Sequence, residues 1–295
     1  MPTLTSEALM PRPQIQFKGG RLPAQPARPH LKLGSYLNHA KLPAAPASAD
    51  WLSQVPADAW GMCLNDQLGD CTCAGVAHKR IGDTFVNQGT AVVVTDDEVL
   101  DLYEQAAGYV PGDPSTDRGS TCQTVLEYWH QHGFGGEAPV AFAKVDISNR
   151  AELQQAIALF GQLYCGLEVP QSAEDQFNAG QPWTVVPGSP LAGGHCVTVG
   201  AYNAEGLSAV TWGAVQSMSW EFFESYFAEA WVVIGSDFIN SKTAEDIQGL
   251  SLYQLGADFA ALTGGTNPIP APGTPPHPKQ SLADEIRKWL EEMGL

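Results

Sequence analysis

The sequence has few basic side chains and no long apolar run. Only 15 of its 295 residues are Lys or Arg, against 32 Asp or Glu, so its formal net charge is −17. Because phosphate contacts need a basic surface, we expect no nucleic-acid partner. No apolar run reaches the roughly 20 residues that span a bilayer, and Met1–Met10 lacks the apolar core of a signal peptide. We therefore expect no membrane association and a cytoplasmic location.

Cysteine is also scarce, and its spacing matches no disulfide framework. We expect reduced thiols, which are usual inside cells. A metal site built from Cys71, Cys73 and His78 is a weak alternative, because this spacing fits no standard zinc pattern. We expect neither a metal nor an organic cofactor. The six cysteines are Cys63, Cys71, Cys73, Cys122, Cys165 and Cys196.

Proline content and charge divide the chain into four predicted parts. Residues 1–50 are rich in proline and carry six Lys or Arg against two Asp or Glu, which is typical of a basic extended arm. Residues 51–262 form the predicted body, 263–280 a Pro/Gly linker, and 281–295 a short amphipathic helix. The acidic body, of the same or a neighbouring subunit, is expected to hold the basic arm.

Apolar periodicity changes along the body. Helical spacing dominates its first half, and alternation typical of strands dominates after Gly193. This order predicts an α+β fold with a mostly antiparallel sheet. The predicted helices are 71–85, 96–108, 119–133, 149–161, 219–228 and 250–262, and the predicted strands are 140–145, 163–169, 195–202, 207–212 and 230–235.

The stretch from Asn65 to Gly75 is the most informative part of the sequence, because it brings a cysteine to the start of a helix. Asp70 is predicted to cap this helix with its carboxylate. Cys71 then occupies the first helical position, where the helix dipole lowers the pKa of a thiol and favours the thiolate. Cys71 is therefore the predicted nucleophile.

A nucleophilic thiol needs a histidine base, a group that orients this histidine, and donors for an oxyanion. His195 is the best candidate for the base. It opens a predicted strand directly after Gly193 and Gly194, and glycines at such a place allow another backbone or a substrate to come close.

These residues resemble the papain-like cysteine peptidases, in particular their compact bacterial and phage members. Asn65 lies six positions before Cys71, where this family has an amide that helps to bind the oxyanion. The resemblance implies a papain-like fold, with the cysteine helix in a helical N-terminal half and the sheet in the C-terminal half. It also implies that Trp212 shields the site from water. The similar segments are 65–75, 117–133, 152–169, 193–202 and 210–213.

The sequence departs from the family pattern at two places. Gln67 also lies six positions before Cys73, so this pair is an alternative oxyanion donor and nucleophile. We favour Cys71 because it directly follows Asp70. Where the family has an asparagine that orients the histidine, this chain has Val210 or Thr211, depending on the alignment. Thr211 is the predicted third member, because its hydroxyl can accept a hydrogen bond and valine cannot, and Gln216 is a further candidate.

The resemblance implies a thiol hydrolase, either a peptidase or an amidase, that acts on a peptide or protein substrate. The basic arm would then inhibit it by lying over the cleft. The alternative is a non-catalytic papain-fold protein of an assembly such as a phage particle, attached through residues 1–50 and 281–295 and therefore virion-associated. A transglutaminase-like acyl transfer uses similar residues and stays open.

Overall fold

The structure is a computed structural model, and its described residues are 14–38, 44–235, 252–267 and 269. The predicted helix at 281–295 and most of the predicted linker at 263–280 lie outside these residues. The division of the chain into four parts stays a prediction.

One antiparallel sheet forms the second half of the fold. Its strands follow the order β2-β7-β3-β4-β5-β6, and β1 pairs with the end of β4. The long strand β4 is hydrogen-bonded to β3 on one side and β5 on the other, so its residues are held rigidly. The strands are β1 (Ala49–Asp50), β2 (Ala141–Val145), β3 (Leu163–Pro170), β4 (Leu191–Tyr202), β5 (Gly206–Thr211), β6 (Ala214–Ser219) and β7 (Phe227–Ile234).

Helices occupy the first half of the body and pack on the sheet. Thr95, Thr121 and Asn149 begin three of them, each with a side-chain oxygen that accepts a backbone N–H of the first turn. Among the described residues the α-helices are α1 (Cys71–Gln88), α2 (Asp96–Ala107), α3 (Cys122–His132), α4 (Arg150–Phe160), α5 (Gln171–Asn178), α6 (Trp220–Tyr226) and α7 (Leu252–Thr263).

Helix α1 lies in the centre of the fold. It packs on β3 and β4 on one side and on α2 and α3 on another, and every residue from Cys71 to Gly82 is buried. A helix that is enclosed by neighbours must pair its polar groups as well as bury its apolar ones. Lys79, whose side chain is 1% exposed, binds Asp83 at 2.6 Å. Because α1 is enclosed in this way, its first residue, Cys71, is held in place within the core.

The predicted α+β class is confirmed, and the predicted helices and strands match observed ones to within a few residues. The helix α5 and the strands β1 and β6 were not predicted. The predicted arm is not extended throughout, since it contains a 3-10 helix at Leu33–Tyr36. None of the described helices is both long and apolar enough to cross a membrane.

Candidate active site

Cys71 is the first residue of α1 and is completely buried. A tight turn leads into it. Cys63 and Leu64 have the positive φ angles 57° and 61°, and the carbonyl of Leu64 accepts the N–H groups of Gln67 and Leu68. This turn folds the chain back on itself, so that it enters the helix from within the core.

The prediction that the carboxylate of Asp70 caps α1 is wrong. Asp70 has φ −97° and ψ 13°, not the extended conformation of most capping residues, and its side chain accepts no N–H of the first turn. Its Oδ1 instead accepts the side-chain amide of Asn65 at 3.1 Å, and its Oδ2 has no partner among the described residues. Burial raises the pKa of this carboxyl well above its usual range. One amide hydrogen of Asn65 is thereby used, and the second remains for another acceptor.

His195 lies on β4 and is completely buried. Its Nε2 is 2.8 Å from the hydroxyl oxygen of Thr211, the last residue of β5. Its Nδ1 has no hydrogen-bond partner among the described residues. If Nε2 carries the proton and donates it to Thr211, Nδ1 presents a lone pair that can accept a proton.

Trp212 forms the turn between β5 and β6 and covers His195. Trp212 and Gly213 have φ 47° and 71°, which is the pattern of a two-residue type I′ hairpin turn. The Trp212 ring is stacked on the imidazole, with centroids 4.7 Å apart and an interplanar angle of 17°. The imidazole is thus held by a hydrogen bond at one end and by a ring on its face.

The structure brings Cys71 next to the backbone of the histidine strand. The backbone N–H of Cys196, the residue that follows His195 on β4, lies beside the Cys71 sulfur and partly offsets the effect of burial on the pKa of the thiol. No hydrogen bond joins the sulfur to the imidazole within the described part of the chain. Cys73 lies two positions further along α1, where a helix turns a side chain by about 200°, and no N–H of β4 acts on its thiol. Of the two thiols, Cys71 is therefore the one that lies beside the histidine strand.

The other predicted candidates lie elsewhere. Gln67 is exposed. Val210 packs in a separate small apolar cluster, and the amide of Gln216 donates to the carbonyls of Gln181 and Ser217. Thr211 is therefore the candidate that the structure places on the imidazole.

No group of three or more His, Cys, Asp or Glu side chains in the described ranges is arranged to hold a metal ion. The weak alternative of a site made of Cys71, Cys73 and His78 is therefore not supported. His78 instead lies with its Nε2 3.1 Å from the carbonyl oxygen of Gly61. All six cysteines are free thiols in buried positions.

The N-terminal arm runs through the cleft between α1 and β4. The N–H groups of Gly20 and Arg21 donate to the carbonyl of Gly194 at 3.1 and 3.2 Å. On the opposite wall, Ser120 donates to the carbonyl of Gly20 and accepts the N–H of Leu22, both at 2.8 Å. The N–H of Gly20 also lies beside the Cys71 sulfur, where it partly offsets the effect of burial on the pKa of the thiol. The arm therefore lies in the cleft beside Cys71, hydrogen-bonded to both walls.

Glycines make this close passage possible. A Cβ at Gly20 would collide with the carbonyl of Gly69, and a Cβ at Gly119 would collide with the carbonyl of Gly20. On the other wall, a Cβ at Gly194 would collide with the carbonyl of Arg21. A larger residue at any of these positions would therefore require the backbone of the arm or of the cleft wall to shift.

Phe17 closes the cleft over the histidine. Its ring meets the rings of His195 and Trp212 edge-on, with centroids 5.6 and 6.0 Å away. Two positions earlier, the backbone of Ile15 makes two hydrogen bonds with the side chain of Asn178, at 2.9 and 3.0 Å. The arm is thus fixed on both sides of the ring that covers the imidazole.

The covered site does not have the electrostatics that the sequence predicted for Cys71. Burial, and then the neighbouring Asp70, raise the pKa of this thiol instead of lowering it. Burial, with a smaller contribution from His78, lowers the pKa of His195 to about 3. Desolvation outweighs the helix dipole here, because both groups are completely buried. In the closed structure both are therefore neutral at pH 7.

We expect acid to destabilise this closed structure through His195. The unfolded chain protonates this imidazole below about pH 6.5, whereas the folded chain keeps it neutral down to about pH 3. The unfolded state binds more protons in this window, so the free energy of unfolding falls as the pH is lowered, by up to about 1.4 kcal/mol per pH unit. Urea unfolding of the wild type and of His195→Gln at pH 7 and pH 5 measures this. An equal loss in both proteins would contradict it.

Sequence reasoning missed the residues that bind the arm. Glu229 lies on β7 and is 1% exposed, and with Glu168 it binds the guanidinium of Arg21. A glutamate inside the apolar run Phe227–Ile234 was the available signal, because a buried carboxylate needs a cation. No local sequence pattern indicated the role of Phe17, because the residues that it contacts, His195 and Trp212, are distant in sequence.

Comparison with protein-family models gives no match, and comparison with curated protein sequences gives none either. Solved structures do match. The fold is similar to that of xylellain, a cysteine protease from Xylella fastidiosa, with a TM-score of 0.57 at 13% identity over 76% of this chain and 98% of that one. It is also similar to procathepsin B S9 from Trypanosoma congolense, with a TM-score of 0.50 at 11% identity over 75% of this chain and 87% of that one.

The matching structures are cysteine proteases with a papain-like fold, so the predicted papain-like α+β fold is confirmed. At this level of identity the likeness concerns the fold alone. The chain has the papain-like cysteine protease fold.

Proposed function

We propose that this chain is a thiol hydrolase, a peptidase or amidase, whose N-terminal arm holds it in a closed state. The observation that carries the proposal is the placement of the Cys71 sulfur beside the histidine strand, with Thr211 on Nε2 of His195 and no partner on Nδ1 among the described residues. A free imidazole nitrogen and a thiol that line the same cleft are what proton transfer and nucleophilic attack need.

The proposed reaction starts when a peptide replaces the arm. Cys71 gives its proton to Nδ1 of His195, and the thiolate attacks the carbonyl carbon of the scissile bond. The second amide hydrogen of Asn65 and the N–H of Cys71, which has no acceptor within its own helix, bind the oxyanion. His195 then protonates the leaving amine. Water hydrolyses the resulting thioester, with His195 as the base, and restores the thiol.

The closed state explains why the proposed pair is neutral in the structure. A raised pKa at Cys71 and a lowered pKa at His195 both follow from burial. Once the arm leaves, water reaches both groups, and the position of Cys71 at the start of α1 then favours the thiolate. The arm is therefore proposed to act as an inhibitor that must leave before catalysis.

A second candidate is a non-catalytic papain-fold protein of an assembly such as a phage particle. Two observations favour it. The amide of Asn65 is engaged by Asp70, and a threonine stands where the resemblance implies an asparagine. In this reading residues 1–50 and 281–295 attach the chain to a protein partner, and the cleft serves only to seat the arm.

One experiment separates the two candidates. The full-length chain and its Phe17→Ala variant are incubated with a peptide library between pH 4 and pH 8, and the products are identified by mass spectrometry. Cleavage that is faster in the variant supports the inhibited hydrolase. No cleavage by either protein, together with a variant that remains folded, would favour the assembly protein.

Thr211→Val is expected to lower kcat for peptide hydrolysis at least tenfold, because it removes one hydrogen bond of about 1.4 kcal/mol from the imidazole without changing the side-chain shape. The pH dependence of kcat should also shift, because without the Thr211 hydroxyl no hydrogen bond favours one neutral tautomer of His195 over the other. Thr198→Val is the matched control: Thr198 is a buried threonine on β4 whose hydroxyl has no partner among the described residues. Equal kcat values for the two variants would exclude an orienting role for Thr211.

A further inference from the structure

Arg21 is the most buried charged side chain in the described part of the arm. Its Nη2 and Nε donate to the same carboxylate oxygen of Glu229 at 2.8 and 3.1 Å, and its Nη1 donates to Glu168 at 2.8 Å. The side chains of Arg21 and Glu229 are 2% and 1% exposed, whereas that of Glu168 is 38% exposed. Arg21 thus enters a pocket with one carboxylate at its closed end and another at its rim.

The pocket is built into the sheet. Gly166 on β3 pairs with Glu229 on the neighbouring β7, and a Cβ at Gly166 would collide with the guanidinium of Arg21. The second carboxylate oxygen of Glu229 accepts the indole N–H of Trp231 at 2.9 Å, which fixes the carboxylate toward the pocket. The strands therefore provide both the space and the charge, independently of the arm.

Glu229 depends on the arm for its charge balance. Arg21 is its sole ion-pair partner in the described part of the chain. A buried carboxylate without a cation is strongly unfavourable, so departure of the arm favours the binding of another cation by Glu229. A neutral side chain cannot balance the charge of this carboxylate.

The pocket lies next to the proposed reaction centre. Arg21 directly follows Gly20, which lies against the carbonyl of Gly69, two residues before Cys71, and the N–H of Arg21 itself donates to the carbonyl of Gly194 beside His195. A peptide in place of the arm would therefore put a side chain into this pocket from a position one or two residues from the bond that is attacked.

We propose that the pocket formed by Glu229, Glu168 and Gly166 selects substrates with a basic side chain, arginine above lysine, one or two residues from the scissile bond. This inference rests on the proposed hydrolase function. Arginine is preferred because its planar guanidinium donates to both carboxylates at once, as Arg21 does, whereas an ammonium is a point charge. The arm binds because it carries the side chain that the substrate would offer.

The test uses the full-length Phe17→Ala chain and peptidyl acyloxymethyl ketones that carry Arg, Lys, citrulline or Leu at either of the two positions before the electrophile. The rate of Cys71 labelling is measured by mass spectrometry. At one of the two positions we expect the Arg probe to react at least about 30-fold faster than its neutral isostere citrulline. Glu229→Gln should reduce this ratio below threefold, and Glu168→Gln should reduce it less. Equal rates for Arg and citrulline at both positions would overturn the inference and leave the hydrolase function intact.

A second measurement does not depend on catalysis. In the full-length Arg21→Ala chain the pocket is empty, and N-acetylarginine amide should raise the thermal midpoint, whereas N-acetylcitrulline amide should not. The double variant Arg21→Ala, Glu229→Gln should show no such rise. Stabilisation by the arginine amide without any labelling of Cys71 would support the pocket and sink the hydrolase function. No stabilisation of Arg21→Ala would overturn the pocket.

Discussion

Replacing Cys71 with alanine is expected to lower peptide hydrolysis at least about 10³-fold in the Phe17→Ala chain, in which the arm is loosened. The reason is that the thiol forms the covalent intermediate, and loss of the nucleophile is among the changes that lower the rate of an enzyme most. Steady-state hydrolysis of a peptide that the library experiment identifies measures the effect. Urea unfolding of the same variant checks that the fold is kept.

Cys73→Ala is the matched control for this prediction. It removes the same thiol from the same helix, two positions away and on the opposite side, in an equally buried position. Hydrolysis should stay within about threefold of the parent, because Cys73 faces the core. If Cys73→Ala abolished hydrolysis and Cys71→Ala did not, the alternative nucleophile with Gln67 would replace the present assignment.

Phe17→Ala is expected to raise the rate at which iodoacetamide alkylates Cys71 by about 30-fold at pH 7.5. Phe17 is partly buried against His195 and Trp212, so its removal should weaken the hold of the arm by about 2 kcal/mol, which increases the population of the open cleft by about that factor. Peptide mapping identifies the alkylated cysteine. The rate of peptide hydrolysis by the same variant should rise by about the same factor.

Lys18→Ala is the control for the arm, since Lys18 is the exposed neighbour of Phe17. It should change the alkylation rate less than twofold. A wild-type rate in Phe17→Ala, with alkylation spread over several cysteines, would mean that Cys71 is shielded by the body itself and that the arm is not the inhibitor.

Local patterns were enough to predict most of the fold. Helices α1 to α4 have strong apolar periodicity and end at glycine, and the strands β4 and β5 alternate clearly. Helix α5 and strand β6 were missed for local reasons. Helix α5 is only eight residues long and starts directly after Pro170, and β6 follows the turn Trp212-Gly213, which lacks the usual Asn-Gly or Asp-Gly signal.

The candidate site was predicted in part. Thr211 lies on the imidazole of His195, and Cys71 lies beside the backbone of the same strand. Their catalytic roles stay predictions. The capping role of Asp70 and the low pKa of Cys71 were wrong, because both arguments assumed that solvent reaches the start of α1. Whether a group is buried depends on what packs over it, and the arm that covers Cys71 is some fifty residues away in sequence.

The sequence by itself determined the class of fold, the helix that begins with Cys71 and the strand that carries His195, because apolar periodicity, glycine and helix-start signals act over a few residues. Only the tertiary structure decided that Phe17 covers the imidazole of His195, that Gly20 lies beside the sulfur of Cys71 and that the side chain of Arg21 fills an acidic pocket. These contacts join segments up to about two hundred residues apart, and they depend on shape and desolvation that no local pattern records.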